Sequence, residues 1–131
     1  MKKGISLFIA CILMIIFTTA CSMEEIFNGS RTSNDQQFIM EYSIFTGSKT
    51  HEIQLEKGTI IDVNIKNTDG NLRVVISDAD GEELYRGDNA ETGTFSVETL
   101  KDSKYKFAVT GKKAKGGVSF KVRKDVDKNV Q

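Results

Sequence analysis

Residues 60–76 read Ile-Ile-Asp-Val-Asn-Ile-Lys, then Asn-Thr-Asp-Gly, then Asn-Leu-Arg-Val-Val-Ile. Ile61, Val63 and Ile65 alternate with Asp62, Asn64 and Lys66, and Leu72, Val74 and Ile76 resume the alternation beyond Asp69-Gly70. A period of two marks a strand with one face buried, and an Asp-Gly pair marks a turn. The pattern extends both ways. Upstream, Phe38, Met40, Tyr42 and Ile44 alternate, and Ile53 and Leu55 precede a Glu56-Lys57-Gly58 turn. Downstream come Leu84 and Tyr85, then Phe95 and Val97, then Tyr105, Phe107 and Val109, and last Val118, Phe120 and Val122. About eight short strands with Gly, Asp and Asn turns, and no apolar stripe of helical period, predict an all-β fold. The expected architecture over residues 37–124 is an antiparallel β-sandwich, jelly-roll-like, because two facing sheets bury the inward side chains.

A chain of 131 residues is the size of one domain. Eighteen basic residues balance 18 acidic ones, which argues against a nucleic-acid partner. One histidine, His51, and two cysteines exclude most zinc sites and any triad using a second histidine. His51 is in phase with Ile53 and Leu55, so a packed histidine is expected there, not a catalytic base. No catalytic residue and no bound cofactor is read from the sequence, and the chain is expected not to be an enzyme.

At the start, Lys2 and Lys3 precede an apolar run from Ile5 to Phe17 in which Ser6 is the only polar residue, followed by Thr18, Thr19, Ala20 and Cys21. The run is short for a spanning helix and suits the hydrophobic region of a signal peptide. Thr19, Ala20 and Cys21 resemble the lipobox of bacterial lipoproteins, with Thr18 where leucine is usual. The resemblance implies a diacylglycerol thioether on Cys21, with or without an N-acyl chain, and removal of residues 1–20. Other readings are cleavage after Ala20 to release a free protein, and an uncleaved anchor. Cysteine arithmetic favours acylation, because Cys21 is then the only cysteine left and no disulfide can form. A lipidated chain faces outward on the cell membrane, anchored by its lipid.

Residues 21–36 read as the lipidated cysteine and a flexible tether, spanning roughly 20 Å on average and about 50 Å at the limit. That reach would hold the domain just off the membrane. Residues 125–131 form a polar tail. Gly58 followed by residues 59–65, Leu72 to Asp78 with Gly81, and Tyr105-x-Phe107-x-Val109 resemble bacterial prepeptidase C-terminal-like sandwiches across most of residues 50–123. The resemblance implies a non-catalytic accessory or binding domain.

Charge is unevenly placed. Residues 22–100 carry 6 basic and 15 acidic residues, whereas residues 101–131 carry 10 basic and 3 acidic. Lys112, Lys113, Lys115, Lys121, Arg123 and Lys124 are candidates for contact with an anionic surface, either lipid or a wall polymer, on a last basic hairpin. The alternative is a solvated hairpin whose lysines guard an edge strand. Asp78 and Asp80 beside Gly81 are a candidate calcium pair, although an EF-hand loop needs ligands missing here and a hairpin turn explains them. Arg86-Gly87-Asp88 matches the tripeptide of integrin ligands and is read as an ordinary polar loop. Tyr85 is the one tyrosine out of phase with the core.

The expected function is a membrane-anchored envelope lipoprotein whose sandwich is a non-catalytic binding or structural module. The alternative is an accessory or inhibitor subunit of an envelope protein, acting through loops at one end of the sandwich.

Overall fold

The structure, a computed structural model, describes residues 24–123. The expected signal peptide, Cys21 with the lipidation expected there, Lys124 and the expected 125–131 tail lie outside the described residues.

Six strands run β1 (Ile26–Ser33), β2 (Gln37–Leu55), β3 (Ile60–Ser77), β4 (Glu83–Gly87), β5 (Gly93–Glu98) and β6 (Ser103–Arg123). All pairings are antiparallel, in the order β1-β2-β6-β3-β4, with β5 also on β3. Each expected strand is present, but three pairs of them fuse into long strands. The segments near 38–44 and 53–55 are both in β2, those near 61–65 and 72–76 in β3, and those near 105–109 and 118–122 in β6.

Each long strand bends where its register slips: β2 between Tyr42 and Gly47, β3 between Asn67 and Asn71. Extra residues at such bulges turn a strand without ending its ladder. In β6 the bend includes Gly116, with φ of 133°, where a Cβ would run into the Lys66 carbonyl oxygen. Gly70, with φ of 75°, lies as closely against the backbone of Lys113. Only glycine meets both demands.

The bends fold one sheet over on itself. The first layer holds β1, residues 37–42, 116–123 and 60–67, and β5. The second holds residues 47–55, 103–111 and 71–77, and β4. Phe38, Phe45, Ile61, Ile76, Phe107 and Phe120 are fully buried between them. Tyr85 of β4 packs on Phe95 of β5 at 4.6 Å, joining the layers along one side. Along the other, Phe27 of β1 sits edge-on to Phe45 at 5.6 Å, and Arg31 reaches the Thr50 carbonyl at 2.7 Å.

β1 corrects the expected tether. Residues 26–33 are an edge strand paired with β2 from Thr46 to Phe38. Only Phe27 is even half-buried there, so no alternation reveals the strand. Backbone pairing, Phe27 and the stacking of Arg31 over Phe38 hold it in place.

The two ends of the sandwich differ. One carries the three bends, the start of β1 and the 88–92 loop, whose Ala90 N–H bonds the Leu72 carbonyl. The other carries the loops 34–36, 56–59, 78–82 and 99–102.

Candidate functional site

Residues directly opposite in an antiparallel pair share a face. The register therefore fixes the outer face of the first layer row by row. Nearest the bends, Ser30, Glu41, Gly117 and Lys66 form one row across β1, β2, β6 and β3. The next holds Thr32, Ile39, Ser119, Asn64 and Thr94. A third holds Gln37, Lys121, Asp62 and Ser96.

Over the first two rows lies an open groove of about 920 Å³. Gly116 and Gly117 leave its floor without side chains on the central strand, between Glu41 and Lys66. Ser30, Asn64, Ser119, Thr68 and Lys115 also line it. The side chains of Ser30, Glu41, Asn64, Lys66 and Ser119 make no hydrogen bond or ion pair among the described residues. They stand on a rigid sheet whose backbone groups are spent on neighbouring strands, so donors and acceptors face the groove already placed.

Most other charges flanking the sheets are committed. Arg123 grips Asp62 with two bonds of 2.9 and 3.1 Å, while the Ser96 hydroxyl donates to the same carboxylate at 2.6 Å. The guanidinium first and the hydroxyl second hold the Asp62 carboxyl down at about 2. At the loop end, Lys101 Nζ bonds Asp80 at 2.6 Å and Asp78 at 3.2 Å, with Glu82 at 3.9 Å. Asp78 also accepts the Asp80 and Glu82 backbone N–H groups. Burial pushes Asp78 up, but the Lys101 and backbone bonds outweigh it and its carboxyl is lowered. The pair weighed for calcium thus converges on an ammonium, whose own pKa its partners raise.

Arg86 and Asp88 do not present a free guanidinium and carboxylate, since they bond each other at 3.0 Å and Arg86 also holds Glu83 at 2.6 Å. Tyr85 is half-buried against Phe95, not a surface platform. His51 packs against Phe38 at 5.5 Å and its Nε2 lies 2.7 Å from the Asn34 carbonyl. Tyr42 is buried, its hydroxyl has no partner among the described residues, and burial pushes its pKa up to about 12.

The structure separates the six basic candidates. Lys112, Lys113 and Lys115 are exposed on the β6 bend. Lys121 and Arg123 are at the opposite end of the same layer, and Lys124 is outside the described residues. The expected basic hairpin is instead one bent strand, and β6 lies between β2 and β3, so its lysines guard no edge. The groove residues Ser30, Glu41, Asn64, Lys66 and Ser119 were not singled out by sequence. The adjacent Gly116 and Gly117 inside an alternating strand were the one local sign that a backbone surface lies open there.

No protein-family model matches the chain, and no curated protein matches it as a relative. Among solved structures, the periplasmic inhibitor of g-type lysozyme from Aeromonas hydrophila is 13% identical with a TM-score of 0.46, over 74% of this chain and 88% of that one. Its Salmonella Typhimurium counterpart is 17% identical with a TM-score of 0.42, over 79% and 95%. A carbohydrate-binding module of Cellvibrio mixtus lichenase 5A is 12% identical with a TM-score of 0.41, over 77% and 89%. At these values nothing about the partners of those proteins transfers to this chain.

Proposed function

We propose that this chain is a lipid-anchored protein of the bacterial envelope whose sandwich is a non-catalytic binding module, and that its ligand lies in the groove on the first layer. One observation carries the reading: Ser30, Glu41, Asn64, Lys66 and Ser119 converge on a glycine-floored groove with no partners among the described residues. The strands under its floor, β2, β6 and β3, are interior, so a peptide cannot add to them as a further strand. Hydroxyl, amide, carboxylate and ammonium groups in two rows suit a ligand read by many hydrogen bonds. A glycan strand of the envelope is the class that offers them. The test is cosedimentation of the full chain with purified wall polymer. Asn64→Ala with Glu41→Ala should weaken binding by about tenfold, the loss of one or two net hydrogen bonds. Binding unchanged in that variant would remove the groove from the account.

A second reading has its own observation. Leu100 is 73% exposed at the loop end, yet its neighbours are pinned. The Thr99 hydroxyl bonds the Glu56 carbonyl at 2.6 Å, Lys101 is held by carboxylates, and Asp102 takes the Lys57 N–H at 2.7 Å. A rigid loop holding a leucine in water suits the accessory or inhibitor role, with a protein as partner. Leu100→Asp would then abolish capture of that protein while leaving glycan binding intact.

A further inference from the structure

We propose that the bend end of the sandwich rests on the membrane, with Lys112 and Lys113 against anionic lipid headgroups. This rests on the reading of Cys21 as the lipidated residue.

The argument starts with chain length. With β1 built into the sheet, only three peptide steps separate Cys21 from Glu24, the first described residue. They span at most about 11 Å. The chain joins the domain at the bend end, because Ile26 pairs with Thr46 and the Glu25 carboxylate bonds Lys49 at 2.9 Å. A lipid on Cys21 therefore brings that end, and not the loop end, to the headgroups.

The lysines are at the same place. Thr46, the pairing partner of Ile26, accepts the Lys113 backbone N–H at 3.0 Å. Lys113 is the one non-glycine residue with positive φ among the described residues, at 53°, and so carries a side chain where the backbone favours glycine. Lys115 leans towards Asp69 at 4.0 Å, whereas the Lys112 and Lys113 ammonium groups have no partner among the described residues. Over the whole end the three lysines are matched by Asp69, Glu24 and Glu91 of the 88–92 loop, with Glu25 paired to Lys49 and Asp88 to Arg73. What faces the headgroups is therefore not a net charge but the Lys112 and Lys113 ammonium groups beside the start of β1, without partners among the described residues. The lipid supplies attachment, and the lysines fix the tilt. Lys121 and Arg123, at the far end of the layer, take no part.

The test is lysine acetylation footprinting of the full lipidated chain in phosphatidylglycerol-rich and in pure phosphatidylcholine vesicles, read by mass spectrometry. Lys57 and Lys104 at the loop end are the internal reference. Lys112 and Lys113 should react about fivefold more slowly, relative to that reference, on the anionic vesicles, and high salt should remove the difference. Equal reactivity on both vesicles, with lipid mass found on the Cys21 peptide, overturns the docking surface and leaves the anchor standing. A Cys21 peptide without lipid overturns both.

Discussion

Phe107 and Phe120 belong to one strand, yet their ring centroids lie 5.1 Å apart. A straight strand would separate them by roughly 43 Å. The contact exists because β6 bends and lays its second half over its first, and Phe120 also stacks on Phe38 at 5.8 Å. This pair therefore reports whether the two layers are closed. Phe107→Ala should cost about 3–5 kcal/mol in urea denaturation. A loss under about 1 kcal/mol would mean that the layers do not face each other there.

The bend itself depends on Gly116, where a side chain would meet the Lys66 carbonyl. Gly116→Ala should cost more than about 2 kcal/mol, because both the backbone conformation and the close approach are violated. Gly58→Ala, at a turn with open space around it, should cost less. Equal costs at the two positions would contradict the close approach.

Tyr42 carries a buried hydroxyl without a partner among the described residues. Removing a polar atom that has lost water and gained nothing costs little, so Tyr42→Phe should match the parent or gain up to about 1 kcal/mol. Its folded pKa of about 12 lies above the ordinary 10.0. Its neutral form is thus favoured by folding, and stability should fall as pH rises from about 10 towards 12. Tyr42→Phe should lack that part of the alkaline loss, measured by denaturation across the range.

Asp62 works in the opposite direction. Its folded pKa of about 2 lies below the ordinary 3.8. The stabilisation is present above about 4 and fades as pH falls towards 2. The pair is exposed, so its worth is under about 1 kcal/mol. Carboxyl NMR should place the Asp62 midpoint near 2, and Arg123→Gln should move it up. An unmoved midpoint would assign the shift to Ser96 instead.

The strands were legible because Ile61, Val63 and Ile65, or Tyr105, Phe107 and Val109, alternate within a few residues. The bends were not legible. Gly70 and Gly116 look like turns that end strands, and only the three-strand register shows the ladder passing through them. β1 left no trace because an edge strand burying Phe27 alone carries no period. The groove was hidden for another reason: Glu41, Gly117 and Lys66 are neighbours only across three strands, and no local pattern encodes that row. The lysines at 112, 113 and 115 were visible as a cluster, but their place beside the start of β1 was not.

Hydrogen exchange of the full chain with and without purified envelope glycan tests the central claim most directly. The account predicts slowed exchange in residues 39–43, 64–68 and 115–119, with residues 99–102 unchanged. Protection confined to 99–102, or no protection at all, would contradict it.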